Sequence, residues 1–328
     1  MACWSRTVDH AVGLRTGQRR CDTRPVRNSC TDYSDRFVCP GTRTLARPNE
    51  CMASGMARTK SKTLTQGALI FAFNNEATDY IAMAAWSAKN IRRHLNLPVA
   101  VVTDNSEAAS KHKFEHIIAT VPDTGGSRHF ADYNATVTWH NAGRINAYEL
   151  SPFDQTIVLD ADYVIASDRL LQILEIPQQF AAFKDGFDPS AMTNLETFGA
   201  YNMPMWWATV MMFRRGNISQ YIFDSMQMIR NNWQHYRDLY GIHQSNYRND
   251  YALSIALGLV AGAGQSVHEI FLPMLNVMPD QGLTCVEQDH YEVTYTNTDG
   301  QLKTLSWAGL DFHAMCKKHL EAIIAADR

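Results

Sequence analysis

The sequence predicts an α/β fold, a single mostly parallel sheet flanked by helices, with a small β-hairpin toward the C-terminus. From residue 67 onward, short apolar runs alternate with amphipathic stretches, the pattern of βαβ units feeding a parallel sheet. No internal repeat and no Gly- or Pro-rich linker interrupts residues 67–328, so one domain accounts for them. The 328 residues are 45% hydrophobic and 10% aromatic, enough to bury a large core.

Residues 68–73 (ALIFAF) read as the first buried strand, and residues 78–94 continue with the helical spacing of Ile81, Ala85, Ala88 and Ile91. Residues 98–103 (PVAVVT) form a second strand ending at Asp104, and residues 117–121 a third. After the Gly125-Gly126 pair, residues 137–150 are expected to be a helix stopped by Ser151-Pro152. Residues 156–159 (TIVL) are a β-branched strand leading into Asp160-Ala161-Asp162. Beyond it, residues 180–183 and 209–213 read as strands and residues 218–236 and 250–260 as helices. Alternation on both sides of Asp299-Gly300 predicts a hairpin over residues 290–305.

The first 55 residues have a different composition. They hold nine arginines and no lysine against five acidic residues, together with five of the seven cysteines. None of those cysteines has the close pairing of a zinc site. The segment is expected to be either a disordered basic arm or an extension translated ahead of the natural start, since Met52 and Met56 stand just before the first periodic segment. In both cases it carries no catalysis. It contains no apolar signal-peptide core, so a cytoplasmic location is expected. The longest weakly polar run, residues 253–264, is too short to span a bilayer, which excludes a membrane partner. With 30 basic and 33 acidic residues overall, general polyanion binding is also excluded.

Asp160 and Asp162 are the most informative residues. On an extended backbone an i, i+2 pair projects to one side and can share a cation. Ligands of open parallel sheets bind beyond the carboxyl ends of the strands, where this pair falls. Hard oxygen donors beside phosphate suit Mn²⁺ or Mg²⁺. The plain alternative is a pair that only solvates a strand end.

The segment GRINAYELSPFDQTIVLDADYVIASD (residues 143–168) resembles the metal-binding segment of GT-A fold glycosyltransferases, nearest the glycogenin-like, retaining branch. The resemblance covers roughly residues 68–320 and implies a Rossmann-like GT-A domain. It further implies a nucleotide-sugar donor whose diphosphate is held by a metal on Asp160 and Asp162, with Arg144 reaching the donor. Phe73, Asn74, Asn75 and Tyr80 match the nucleotide-binding loop, Asp104 the acidic position near base or ribose, and Ala161 the centre of the acidic motif. In LDFHAMCKKHL, His313 matches the third metal ligand and Lys317 or Lys318 the diphosphate-binding lysine, although Met315-Cys316 replaces the family's glycine turn. Asp250, in YRNDYALSIAL, resembles the acidic residue facing the sugar, and is also a natural N-cap. In MPMWWATVMMF the methionines read as core, with Trp206 and Trp207 available as ring platforms.

The reaction so implied is transfer of a hexose from a UDP-sugar to an acceptor hydroxyl of a protein, glycan, metabolite or hydroxymethylated DNA base. Arg214, Arg215, Arg230, Arg237 and Arg248 are expected to form an ordinary solvated helix face. Two rival readings remain. LDADYV also resembles the first motif of haloacid-dehalogenase-type phosphatases, which place it on their first strand, whereas three strands precede it here. A non-catalytic sugar-binding protein on the same fold is the other.

Overall fold

A computed structural model describes residues 64–130, 133–140, 142–271 and 273–327. The expected N-terminal extension, residues 1–55, lies outside the described residues. From residue 64 the chain has the predicted α/β architecture. Strand β1 (Gln66–Phe71) is buried from Gly67 onward, and helix α1 (Tyr80–Leu95) returns the chain. Asp79 caps that helix by accepting from Ala82 N–H at 3.0 Å, and Arg92, Arg93 and His94 sit in its last turn, where the helix dipole favours cations. Strand β2 (Val99–Thr103) is wholly buried, as a β-branched run in a parallel sheet should be. Helix α2 (Ser106–Ser110) and strand β3 (His116–Ala119) complete this half.

Residues 137–150 are not the expected helix. They begin inside an antiparallel pair, β4 (Gly126–Phe130) with β5 (Ala135–Trp139), and continue through a 3₁₀ turn over Ala142–Asn146 into the single turn α3 (Ala147–Leu150). The β-branched, aromatic run Thr136-Val137-Thr138-Trp139 favours a strand, which the expectation of one helix over residues 137–150 left out of account. Strand β6 (Gln155–Asp160) then crosses the core, and β7 (Tyr163–Val164) comes just after the acidic motif. Gly67 on β1 is required by close packing beside β6: a Cβ there would stand 2.4 Å from the Phe153 ring.

Strands β8 (Phe180–Phe183), β9 (Gly186–Phe187), β10 (Thr197–Phe198), β11 (Met203–Pro204) and β12 (Trp207–Arg214) precede a helical layer. The helix expected over residues 218–236 is two helices, α4 (Asn217–Asn231) and α5 (Trp233–Leu239), broken at Asn232, whose side chain bonds back to the Met228 carbonyl at 2.8 Å. Helix α6 (Asn249–Gly262) packs against α4 and β12, and the short strands β13 (His268–Glu269) and β14 (Met274–Val277) come next. The predicted hairpin is present as β16 (His290–Thr296) and β17 (Leu302–Ala308), with β15 (Gly282–Glu287) added on its other side. The chain ends with β18 (Phe312–Ala314) and α7 (Lys317–Ala326).

The central sheet has seven strands in the order β13-β8-β12-β6-β1-β2-β3. All its pairs are parallel except those of β12, which runs against both neighbours. Register aligns Phe71 with Asp160 and Val210 with Leu159, so the ends of β1 and β6 and the start of β12 share one edge. A smaller sheet, β7-β18-β14-β9, grows from that edge. Its register pairs His313 with Tyr163 and with Asn276, so the strand leaving the acidic motif carries the C-terminal histidine back beside it. No helix among the described residues is long and apolar enough to cross a membrane.

Candidate active site

The shared edge opens into a cavity of about 540 Å³. Asp160 and Asp162 enter it from the end of β6, His313 from β18 and Lys317 from the first turn of α7. The carboxylates of Asp160 and Asp162 and the imidazole of His313 offer ligand atoms that all lie within 4.8 Å of one another. This convergence joins residues more than 150 positions apart, and the backbone secures it: Ala314 N–H donates to the Asp162 carbonyl at 2.9 Å and Met315 N–H to Val277 at 2.8 Å.

Asn276 sets the chemistry of His313. The Asn276 amide nitrogen donates to the Met274 carbonyl at 2.8 Å, which turns its oxygen toward His313 Nδ1 at 3.0 Å. The proton is therefore assigned to Nδ1, and in the neutral ring the Nε2 lone pair is left facing Asp162 Oδ2 at 3.4 Å. Two hard carboxylates and one such nitrogen make a fitting donor set for a divalent ion of the Mn²⁺ type. We expect Asn276→Leu to leave the fold intact by circular dichroism and to weaken Mn²⁺ binding about 10- to 100-fold by calorimetric titration. Unchanged affinity would remove the orienting role of Asn276.

Each carboxylate also has its own cation. Lys317 Nζ lies 2.6 Å from Asp162 Oδ2, with both side chains buried. Burial works to raise the Asp162 carboxyl, but the Lys317 ammonium holds it well below the usual range. Burial likewise opposes the Lys317 charge, and Asp162 beside it keeps the ammonium above its ordinary value. Arg144 forms an ion pair with Asp160 and donates to the Ala208 carbonyl at 2.7 Å. Burial pushes this guanidinium down to about 10, so it stays charged at neutral pH.

The second acidic centre is Asp250. One of its oxygens accepts from Ala208 N–H at 3.0 Å and the other from Arg248 at 2.8 Å. Burial alone would raise its carboxyl, but Arg248 and the Ala208 amide hold it below the ordinary value. Ala208 thus stands between Arg144, on its carbonyl, and Asp250, on its amide, and the two halves of the site form one network.

Phe73, Asn75, Tyr80 and Ala161 line the cavity. The Asn75 side chain closes the loop after β1 by accepting from Ala77 and Thr78 N–H, each at 2.9 Å. Asn74 and Asp104 are placed elsewhere. Asn74 is exposed and acts at the start of α1, accepting from Ile81 N–H and donating to Asp79, each at 2.9 Å, while Asp104 is exposed outside the cavity lining. Of the two lysines, Lys317 lines the cavity and Lys318 is exposed outside it. Trp207 is buried against the cavity with its indole N–H on the Leu195 carbonyl at 3.2 Å, and Trp206 is outside the lining.

The five arginines do not form one solvated face. Arg248 belongs to the site, Arg230 pairs with Asp123, Arg237 pairs with Asp238, and Arg214 and Arg215 bond backbone carbonyls. Reading the sequence missed the site roles of Arg248 and Asn276. A polar residue in the apolar strand MLNV was the available signal for Asn276, and a cation two residues before Asp250 was the signal for Arg248.

No protein-family model matches the chain, and no curated protein matches it. Solved structures do. The glycosyltransferase GlyE of Streptococcus pneumoniae TIGR4 is 16% identical, with a TM-score of 0.34 over 62% of this chain and 45% of its own. The galactosyltransferase LgtC in complex with donor and acceptor sugar analogs is 13% identical, with a TM-score of 0.35 over 58% of this chain and 70% of its own. Mouse xyloside xylosyltransferase 1 is 11% identical, with a TM-score of 0.39 over 63% of this chain and 85% of its own. This chain spans less than half the length of the GlyE chain. At these scores the likeness carries no chemistry of its own, and the site is read from its own residues.

Proposed function

We propose that the chain is a metal-dependent glycosyltransferase that moves a hexose from a nucleotide diphosphate sugar, a UDP-sugar, to an acceptor hydroxyl with retention of anomeric configuration. The observation that carries this reading is the convergence of Asp160, Asp162 and His313, flanked by Lys317 and Arg144, on one cavity at the strand ends. Asp160, Asp162 and His313 would hold the ion, and the imidazole favours Mn²⁺ over Mg²⁺. When bound, such an ion supplies Lewis-acid neutralisation of the diphosphate.

In this reading the protein's own residues divide the remaining work. As the bond between the anomeric carbon and phosphate oxygen breaks, the electron pair leaves with the nucleoside diphosphate. Lys317 and Arg144 are the fixed cations beside that growing charge. The sugar becomes cationic in the same step, and Asp250, kept ionised by Arg248 and Ala208, is the carboxylate beside the network that can stabilise it. The acceptor oxygen forms the new bond and gives up its proton to the departing phosphate or to water. Phe73, Asn75 and Tyr80 border the same cavity and would flank the nucleotide.

A donor panel tests the reading. Incubated with Mn²⁺, the full chain should release UDP from at least one UDP-sugar, and EDTA should abolish the release until Mn²⁺ is restored. Release of inorganic phosphate from a phosphomonoester, with no UDP from any donor, would favour the phosphatase. Binding of UDP-sugar without turnover across donor and acceptor panels would favour the non-catalytic sugar binder.

A further inference from the structure

A second cavity, of about 450 Å³, shares no lining residue with the active site. That volume is in the range of small-molecule sites. Its wall includes Ile173, Ile270 and Met274, the aromatic residues Tyr163 and Phe183, and one carboxylate, Asp311. All six are buried, and Asp311 is 7% exposed. Ala166 N–H donates to Asp311 Oδ1 at 2.8 Å, and the Ser167 hydroxyl donates to the same oxygen at 3.0 Å. Two neutral donors would be served equally by an amide oxygen, so they leave the buried charge unaccounted for. Asp311 Oδ2 accepts no hydrogen bond, yet it is not sealed inside the protein and keeps accessible surface on a residue that lines the cavity. Among the described residues no cation pairs with this carboxylate. Arg169 and His268 line the same cavity without pairing with it, and Arg169 is exposed, so water satisfies its charge.

We infer that this cavity is a binding site for a small organic ammonium ion with an apolar body, its N–H group donating to Asp311. Charge decides the class of ligand. A buried carboxylate without a counter-charge is costly, and a cation placed beside it offsets that cost. A neutral alcohol would offer a hydrogen bond but no charge, and an anionic ligand would meet a like charge. The aromatic residues favour the same occupant, because ammonium groups are attracted to ring faces. Tyr163 and Phe183 have their ring centroids 6.3 Å apart, so two aromatic side chains stand together in the wall that also holds Asp311. Ile173, Ile270 and Met274 supply apolar surface for the body of the ligand. This site goes beyond the proposed glycosyl transfer and does not depend on it.

The test is calorimetric titration of the full chain at neutral pH with phenethylamine, cyclohexylamine and hexylamine, each beside its matching alcohol, and with phenylacetate as the anionic control. At least one amine should bind about tenfold tighter than its alcohol, the scale of one hydrogen bond to a charged group, and phenylacetate should bind more weakly than either. Asp311→Asn keeps an oxygen for Ala166 N–H and the Ser167 hydroxyl while removing the charge, so in this variant the amine should fall to the affinity of its alcohol. Crystals of the wild type soaked with the tightest amine locate it without any variant, and its nitrogen is expected within hydrogen-bond distance of Asp311 Oδ2. Four results would overturn the assignment: no amine binding at millimolar concentration, equal affinity for amine and alcohol, an amine preference that survives in Asp311→Asn, or amine density only outside this cavity.

Discussion

Asp162→Asn is expected to lower metal-dependent UDP release by a factor on the order of 10² to 10³, the scale seen when a preorganised charge-stabilising group is lost. The same substitution should cost about 3 kcal/mol of stability, because Lys317, 2.6 Å away and buried, loses its counter-charge. These two effects have separate origins and can be separated. In Asp162→Asn/Lys317→Met the stranded ammonium is gone, so most of the lost stability should return while turnover stays no higher than in Asp162→Asn. Calorimetry for the melting transition and a coupled UDP assay for turnover measure both. Recovery of turnover in the double variant would contradict the role given to Asp162.

The second large effect is expected for Arg144→Gln. Arg144 is 2% exposed and joins Asp160 to the Ala208 carbonyl, so its loss touches both halves of the site. Turnover should fall about 100-fold at saturating donor, with the KM for donor changing much less, the mark of a group that acts on charge developing in the reaction. In the metal-free protein Asp160 then lacks its guanidinium, and a stability loss of about 3 kcal/mol is expected. Mn²⁺ neutralises that same carboxylate and binds only the folded state, so it should raise the melting temperature of Arg144→Gln more than that of the wild type. An equal metal-induced shift in both proteins would show that Arg144 and the ion do not share Asp160.

The sheet strands and the acidic motif were legible because both depend on local pattern. A largely apolar, β-branched run such as TIVL reads as a buried strand, and an i, i+2 carboxylate pair at its end is visible without coordinates. The hairpin at Asp299-Gly300 was legible for the same reason, Gly300 taking a φ of +73 that the turn requires. His313 was legible only through the family resemblance. Nothing local marks it, since its placement depends on β18 pairing with β14 and with β7, the latter more than a hundred residues earlier.

The misreadings have physical causes as well. Residues 137–150 were expected to be one helix ended by Ser151-Pro152, yet the strand preference of residues 135–139 prevailed. Asn74 had two possible uses, and its side chain is spent at the start of α1. Arg248 looked like a surface charge because sequence alone does not show which arginine faces a buried carboxylate.

The most direct test of the metal site is anomalous scattering at the manganese edge from crystals of the full chain grown with Mn²⁺ and UDP. A single strong peak is expected within ligand distance of Asp160, Asp162 and His313, with the diphosphate beside Lys317. A peak elsewhere, or UDP seated in the cavity with His313 Nε2 turned away and no metal between the carboxylates, would contradict the proposed chemistry.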